Sequence, residues 1–233
     1  MAINTDAVQR LYVAYFNRPA DPGGLAYWEG LLPSTAATQA QLTTLAAGFS
    51  GSAEYAMLYG SLPNTVMVNS LYLNLFGRAA EAAGLSYWAG RLQAGSETFA
   101  SLALQLTYSA QGTDATAIAN KVSAANAFTA EINTFGEIVS YNGTAAAASA
   151  RSWLATVTDS TASLAAATSA AALAKAVSDA TAIGTAGQAA LWQEDLDAYV
   201  SITDDVTGMG ANDMTIELVG IDTTASGFDS TLA

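Results

Sequence analysis

The sequence predicts a mainly α-helical protein: an array of helices with two copies of a repeat of about 60 residues, then longer alanine-rich helices and a short C-terminal β-strand. Three observations support this. Residues 11–32, LYVAYFNRPADPGGLAYWEGLL, align without gaps on residues 71–92, LYLNLFGRAAEAAGLSYWAGRL, with half of the positions identical. Alanine, a strong helix former, is dense between residues 113 and 201. The segment MTIELVGI, residues 214–221, alternates as a strand does.

Each repeat begins with a helix that carries an apolar stripe. Apolar residues recur at i, i+3, i+4, i+7 and i+8, which places them on one helical face. The stripe consists of Val8, Leu11, Tyr12, Tyr15 and Phe16 in the first copy and of Val68, Leu71, Tyr72, Leu75 and Phe76 in the second. A second short helix and one or two more complete each unit. The repeats are therefore predicted at residues 5–62 and 65–112, within a tandem region that spans residues 1–112.

The rest of the chain divides into an alanine-rich helical region, residues 113–203, and an acidic tail, residues 204–233. Helices are predicted over residues 114–134, 144–156, 160–182 and 186–201. The tail contains the strand over residues 214–221 and is expected to serve assembly or secretion. Because no partner strand is expected in the same chain, this strand is predicted to pair outside it.

The segment RPADPGGLAYW, residues 18–28, raises two alternatives: a phosphate-binding glycine loop, or a corner between two helices. A phosphate loop needs a preceding strand and usually a lysine. Here a helix precedes, no lysine is near, and the second copy keeps one glycine of the pair. A structural corner is therefore favoured, and a surface on which arginine and aromatic rings face a glycan is the alternative. The corner residues are Arg18, Asp21, Gly24 and Trp28 in the first copy and Arg78, Glu81, Gly84 and Trp88 in the second.

Each corner residue has an expected role. The acid three residues after each arginine is expected to cap the second helix, to pair with the arginine, or to do both. The glycine allows a close backbone approach or a positive φ. The tryptophan closes the core between helices. Most aromatic residues lie at helical spacing and are expected in the core, whereas Tyr55, Tyr59 and Tyr108 lie outside the stripes and are candidates for exposed glycan contacts.

Composition excludes several classes of function. The chain has no cysteine and no histidine, so disulfides, thiolate nucleophiles, zinc sites and histidine bases are excluded. With 20 acidic and 7 basic residues the net charge is −13, which repels nucleic acid. No window is long and apolar enough to span a membrane, and no Sec-type signal is visible at the start. Acidic residues offer many catalytic pairings, but nothing selects one, so no enzymatic activity is expected.

The last third of the chain is acidic, since no lysine or arginine follows Lys175. One interpretation is a solvated acidic tail. The other is a calcium site, because Ca²⁺ takes carboxylate ligands, although neither an EF-hand loop nor a GGxGxDxUx array is present. The candidate calcium ligands are Asp204, Asp205, Asp213 and Asp222.

The two aligned segments closely resemble the LYxxxLGRxPDxxGLxYW helical repeat, a domain of unknown function in proteobacterial S-layer proteins and large RTX-type secreted proteins. The motif covers about residues 8–112, and the second copy departs from it with Ala-Ala-Glu at the corner. The resemblance implies export by type I secretion with an uncleaved C-terminal signal. It also implies likeness to the N-terminal anchoring region of Caulobacter-type S-layers, a helical region that binds lipopolysaccharide while downstream β-rich domains bind calcium.

These observations favour a secreted, cell-surface structural protein, an S-layer or extracellular-matrix component, that self-assembles with the help of calcium. Its expected partners are further copies of itself, in a sheet or filament, and a cell-surface glycan or lipopolysaccharide. The alternative is a glycan- or lipopolysaccharide-binding anchor module that does not polymerise.

Overall fold

Twelve α-helices occupy residues 3–182 of the computed structural model, which also describes the backbone of residues 188–194, 197–203 and 214–218. The first repeat contains α1 (Thr5–Phe16), α2 (Pro22–Gly30), α3 (Gln39–Ser50) and α4 (Ala53–Tyr59). The second contains α5 (Asn64–Phe76), α6 (Ala82–Gln93) and α7 (Phe99–Ser109), and leads into α8 (Gly112–Glu131). The remaining helices are α9 (Phe135–Ser140), α10 (Gly143–Leu154), α11 (Thr161–Thr168) and α12 (Ala170–Thr181).

The core is built around α1, which packs against α2, α3, α5, α7 and α8. Val8, Leu11 and Tyr15 are almost completely buried, as the apolar stripe predicted. In α5 the equivalent Val68, Leu71 and Leu75 are also buried, and Phe76 is partly buried. Both stripes therefore face one shared core.

A second, smaller core lies beneath the alanine-rich helices. It joins the C-terminal half of α8 to α9, α10 and α12, with Phe128, Ile132, Tyr141 and Val177 at its centre. Alanines such as Ala150 let these helices approach closely, since a methyl group keeps neighbouring backbones near each other. The single helix predicted over residues 160–182 is two helices, separated at Ser169, whose backbone is extended with φ −59° and ψ 144°.

The same helix signals recur at a separation of 60 residues. Thr38 caps α3 in a capping box with Gln41, and Thr98 caps α7 in a capping box with Ser101. The first helix of each repeat ends in a left-handed residue, Asn17 in α1 (φ 48°) and Gly77 in α5 (φ 70°). The structural repeat is thus longer than the 22 residues that align most clearly.

Three strands follow the helices: β1 (Gln188–Glu194), β2 (Asp197–Thr203) and β3 (Met214–Leu218). They pair antiparallel in the order β1-β2-β3, with Gln188 opposite Thr203 and Ala198 opposite Leu218.

Two expectations need correction here. The helix predicted over residues 186–201 is wrong, because β1 and most of β2 lie there, and β2 is rich in β-branched and aromatic residues. Of the strand predicted over residues 214–221, only residues 214–218 are described. They pair with β2, so the expectation that this strand has no partner in its own chain is also wrong.

Candidate functional site

The corner of the first repeat is held by an ion pair between Arg18 and Glu54. Arg18 donates from Nε to Glu54 Oε1 at 3.0 Å and from Nη2 to Glu54 Oε2 at 2.7 Å. Glu54 lies in the first turn of α4, 36 residues after Arg18. Asp21 is 3.7 Å from Arg18 and mainly caps α2, since its Oδ1 accepts from the Gly24 amide at 2.6 Å. The strongest acidic partner of Arg18 is therefore a residue that the sequence analysis did not single out.

The corner of the second repeat reproduces this pair. Arg78 donates from Nε to Asp114 Oδ1 at 3.0 Å and from Nη2 to Asp114 Oδ2 at 2.7 Å, again across 36 residues. Glu81 lies 3.0 Å from Arg78 Nη1 and makes no side-chain cap on α6. The two repeats thus share one arginine–acid clamp, which joins the corner to the helix that closes the unit.

Other corner contacts also repeat. Gln9 Oε1 accepts from the Ala20 amide at 3.0 Å, and Asn69 Oδ1 accepts from the Ala80 amide at 3.1 Å. Each contact ties the chain after the corner back to the first helix of its own repeat. The corner is therefore organised by hydrogen bonds within the protein, which is how a structural element behaves.

The glycines and tryptophans of the corner serve packing. A Cβ at Gly24 would lie 2.8 Å from Asp21 Oδ2 and closer still to the Tyr12 hydroxyl, so the backbone approaches these groups closely. Neither Gly24 nor Gly84 has a positive φ. Trp28 stacks on Phe49 with ring centroids 4.5 Å apart. Trp88 is partly buried against the same core.

The first corner also binds the alanine-rich region through Arg151 on α10. Arg151 donates from Nη2 to Glu54 Oε1 at 2.7 Å and from Nε to the Phe16 carbonyl at 3.0 Å. Burial on its own would raise the pKa of Glu54, but hydrogen bonds and charge from Arg18 and Arg151 outweigh it and lower that pKa. Glu54 is therefore a carboxylate shared by two arginines.

Two of the three tyrosines proposed as exposed glycan contacts lie in an aromatic cluster. Tyr59 is buried, and its hydroxyl donates to the Tyr15 carbonyl at 2.7 Å. Tyr55 is partly buried, with its ring centroid 5.1 Å from that of Tyr59 and 5.2 Å from that of Phe99. The prediction of an exposed contact is wrong for Tyr59, because α7 inserts Phe99 between the two repeats. Tyr108 differs, since 46% of it is exposed.

Tyr108 lines a groove between α3 and α7, with a volume of about 400 Å³. This volume lies within the usual range of small-ligand sites, about 300–1,000 Å³. The lining residues, none of them charged, are Gln39, Thr43, Ser101, Leu104, Gln105, Tyr108 and Ser109. Leu104 is buried and forms the apolar floor. The groove therefore combines an aromatic ring, an apolar floor and neutral polar groups.

Two polar side chains of the groove, Gln39 and Gln105, are available to a ligand. Among the described residues, the side-chain amides of Gln39 and Gln105 take part in no hydrogen bond, and each amide can both donate and accept. Arg10 lies over the Tyr108 ring, with its Cζ 5.8 Å from the centroid. Burial raises the pKa of Tyr108, so its hydroxyl stays neutral. The groove, which we name the α3/α7 groove, suits a ligand rich in hydroxyl groups.

The four candidate calcium ligands, Asp204, Asp205, Asp213 and Asp222, lie outside the described residues. Within the part of the chain that the structure describes, no three histidine, cysteine, aspartate or glutamate residues are grouped so as to hold a metal ion. Calcium binding therefore stays a prediction.

Comparison with known families gives one result for this region. The model of a single family, Domain of unknown function (DUF4214), matches the chain twice, over residues 2–58 and over residues 46–113. Residues 2–113 are therefore similar to this domain in two overlapping stretches. No curated protein and no solved structure was found to match the chain.

The DUF4214 matches agree with the structural repeat. The first match ends inside α4, after Glu54, and the second begins inside α3 and ends at residue 113, one residue before Asp114. Most of α4, up to residue 58, therefore lies within both matches. Among the described residues, no helix combines the length and apolarity needed to cross a membrane.

Proposed function

We propose that the DUF4214 region binds a surface glycan in the α3/α7 groove, and that the chain serves as a glycan- or lipopolysaccharide-binding module of a secreted or cell-surface protein. The observation that supports this best is the groove itself, in which uncharged hydrogen-bonding side chains surround the half-exposed ring of Tyr108. The groove combines α3 of one repeat with α7 of the other. The pair of repeats is therefore the smallest unit that contains it.

The chemistry of a sugar fits this lining. Each sugar hydroxyl donates and accepts a hydrogen bond, which matches the amides of Gln39 and Gln105 and the hydroxyl of Thr43. The C–H face of a sugar ring is apolar and packs on an aromatic ring such as that of Tyr108. The residues that line the groove are uncharged, which suits a neutral stretch of polysaccharide.

Binding of lipopolysaccharide O-polysaccharide, measured by calorimetric titration of the full chain, tests this proposal. Tyr108→Ala and Gln105→Ala are each expected to weaken binding by about tenfold, since each removes one main contact. Tyr87→Ala is a matched control. Tyr87 is 55% exposed and lies under Arg91 at 5.6 Å, as Tyr108 lies under Arg10, but it is outside the groove.

Three results would contradict the proposal. The first is that no O-polysaccharide or capsule preparation binds. The second is that Tyr108→Ala binds as well as the unchanged chain. The third is that Tyr87→Ala weakens binding as much as Tyr108→Ala, because loss of any exposed tyrosine would then explain the effect.

A second candidate function, self-assembly into an extracellular layer with the help of calcium, is supported by the sheet. In the order β1-β2-β3, the outer strands β1 and β3 each have one neighbour among the described residues. An outer strand offers unpaired backbone groups to a strand of another molecule. The calcium that would assist assembly stays a proposal, together with secretion and the surface location.

Negative-stain microscopy at rising calcium concentration separates the two functions. Self-assembly predicts sheets or filaments of the full chain and their loss in a chain shortened to end at residue 213. Ordered assembly of the shortened chain would contradict a role for β3. A full chain that binds glycan and never polymerises would leave glycan binding as the function.

A further inference from the structure

The two arginine–acid corners differ in how much they are covered. The side chain of Arg18 is 12% exposed, whereas that of Arg78 is 41% exposed. Phe16 and Ala20 are buried, while their equivalents Phe76 and Ala80 are partly buried. One corner is therefore closed by the rest of the chain, and its counterpart is open.

Residues of α8–α10 cover the first corner through three backbone carbonyls. Arg151 donates to the Phe16 carbonyl at 3.0 Å, and Thr129 donates to the Ala20 carbonyl at 2.7 Å. The Tyr141 hydroxyl donates to the Pro19 carbonyl at 3.0 Å. Arg151 also shares Glu54 with Arg18.

The second corner presents the equivalent acceptors without this cover. No described residue donates a hydrogen bond to the carbonyls of Phe76 and Ala80, and the Ala79 carbonyl receives only a 3.5 Å contact from Arg78 of the same corner. Asp114 Oδ1 accepts from Arg78 Nε alone among the described residues, whereas Glu54 Oε1 accepts from two arginines. The site that Arg151 occupies in the first corner thus has a free counterpart in the second.

The lysines and arginines of residues 1–233 do not fill this position of the second corner. Residues 183–233 contain no lysine or arginine. The other basic side chains of the described residues all have contacts elsewhere. These contacts are Arg10 with Tyr108, Arg91 with Glu97, Lys121 with Asn74, Arg151 with Glu54 and Lys175 with Asp179.

We propose that the second corner, formed by Phe76, Arg78, Ala79, Ala80 and Asp114, docks an arginine-bearing helix of a partner protein. The arginine of that helix lies between Asp114 and the Phe76 carbonyl, as Arg151 lies between Glu54 and the Phe16 carbonyl. The negative carboxylate and the carbonyl dipoles complement a guanidinium, whose several donors reach both acceptors at once.

The residues around Arg151 also indicate the composition of the partner helix. In α10 the residues four and one positions before Arg151 are small and buried, Ala147 and Ala150. An alanine-rich helix is therefore expected, because it brings the arginine close to the corner backbone. Leu73, one turn before Phe76 on α5, is 45% exposed and adds apolar area to the same docking surface. This inference is independent of the α3/α7 groove.

A synthetic peptide of residues 135–158 of this chain is the probe, because it carries both Tyr141 and Arg151. We expect its addition to the full ¹⁵N-labelled chain to shift the amide signals of Gly77 and Asp114 in a saturable manner. The peptide with Arg151→Gln, or the chain with Asp114→Asn, is expected to bind about tenfold more weakly. Glu97→Gln, a change of another arginine-paired acid, leaves binding unchanged.

Three outcomes would overturn the proposal. One is the absence of shifts at Gly77 and Asp114 up to millimolar peptide. Another is equal binding by the Arg151→Gln peptide, which would remove the role of the guanidinium. The third is a concentration-dependent shift of the same signals in the chain alone, which would make a second copy of this chain the occupant instead of a partner protein.

Discussion

Arg18 and Glu54 lie 36 residues apart and form a two-point ion pair, with donor–acceptor distances of 3.0 and 2.7 Å. Arg78 and Asp114 repeat the same separation and the same two distances. The clamp links the turn after the first helix of each repeat to the helix that closes it. Because this clamp recurs, it is the defining contact of the 60-residue unit. The two copies differ because the clamp of Arg18 is buried by later helices, whereas that of Arg78 is more exposed.

The unequal cover predicts unequal costs of removing the acid. Glu54→Gln is expected to lower the free energy of unfolding by about 3 kcal/mol, because it leaves the buried Arg18 and the partly buried Arg151 without their carboxylate. Asp114→Asn is expected to lower it by about 1 kcal/mol or less, since water can solvate the exposed Arg78. Urea unfolding of both variants measures the difference, and equal losses would contradict this account of the corners.

The Glu54 clamp also predicts a dependence of stability on acid pH. The arginines hold the pKa of Glu54 below its ordinary value in the folded state, despite the opposing effect of burial. The carboxylate therefore stabilises the fold at neutral pH, and this contribution is lost as the pH falls from the ordinary glutamate range through the lowered folded pKa. The urea midpoint is expected to fall with pH below about 4.5, and less steeply in Glu54→Gln. If the urea midpoints of the unchanged chain and of Glu54→Gln fall equally steeply with pH in this range, the Glu54 prediction is contradicted.

Lys121 predicts a second rise of stability with pH, at alkaline pH. Its ammonium is buried between the two repeats and donates to the Asn74 carbonyl at 2.6 Å and to Asn17 Oδ1 at 3.1 Å. Burial lowers its pKa to about 8. Above that pH the unfolded chain holds the proton more tightly than the folded chain, so stability is expected to rise from about pH 8 to about pH 9.5.

Lys121→Arg and Lys121→Met provide the controls for this rise. Neither replacement titrates in the range, so the urea midpoint of each variant is expected to lack the increase, whatever its absolute stability. A rise of equal size in either variant would assign the effect to another group. A flat profile in the unchanged chain would show that Lys121 keeps its ordinary pKa.

The two corner glycines offer a matched pair of substitutions. Gly24→Ala is expected to destabilise the fold by about 1–3 kcal/mol, because the new methyl group meets the Tyr12 hydroxyl and the Asp21 carboxylate. At Gly84 the nearest atom, the Tyr72 hydroxyl, is 3.4 Å away, so Gly84→Ala is expected to be neutral or to stabilise by up to about 1 kcal/mol. Thermal unfolding compares the two, and a larger loss for Gly84→Ala would reverse the assignment.

The sequence alone predicts the first helix of each repeat well. Burial of Val8, Leu11 and Tyr15, and of Val68 and Leu71, follows from helical spacing, which is a local property of the chain. Arg18 and Arg78 also lie in the turn after that helix, as predicted. Local spacing suffices here because the helix and the corner are continuous in sequence.

Local spacing predicts Asp21 as the partner of Arg18, whereas the acid that forms the clamp, Glu54, lies 36 residues away. The available signal was the recurrence of an acid at residues 54 and 114, which appears when the 60-residue offset is extended past the aligned segment. The α3/α7 groove carries no such signal. It depends on which helices of the two repeats meet, and the periodicity within one helix does not encode that choice.

The region around residues 186–201 shows the limit of composition. Ala189, Ala190 and Leu191 suggest a helix, but they lie in β1, which pairs with β2. Pairing between segments depends on the neighbouring strand, and residues such as Tyr199 and Val200 favour it. Alanine content is therefore a poor predictor of a helix where β-forming residues lie nearby in the sequence.

The most direct test of the glycan-binding function is a map of amide chemical shifts in the labelled full chain during titration with O-polysaccharide. The α3/α7 groove predicts that the perturbed amides cluster at Thr43, Ser101, Gln105 and Tyr108, the groove-lining residues of α3 and α7. Absence of perturbation there, or perturbation confined to residues 188–218, would contradict it.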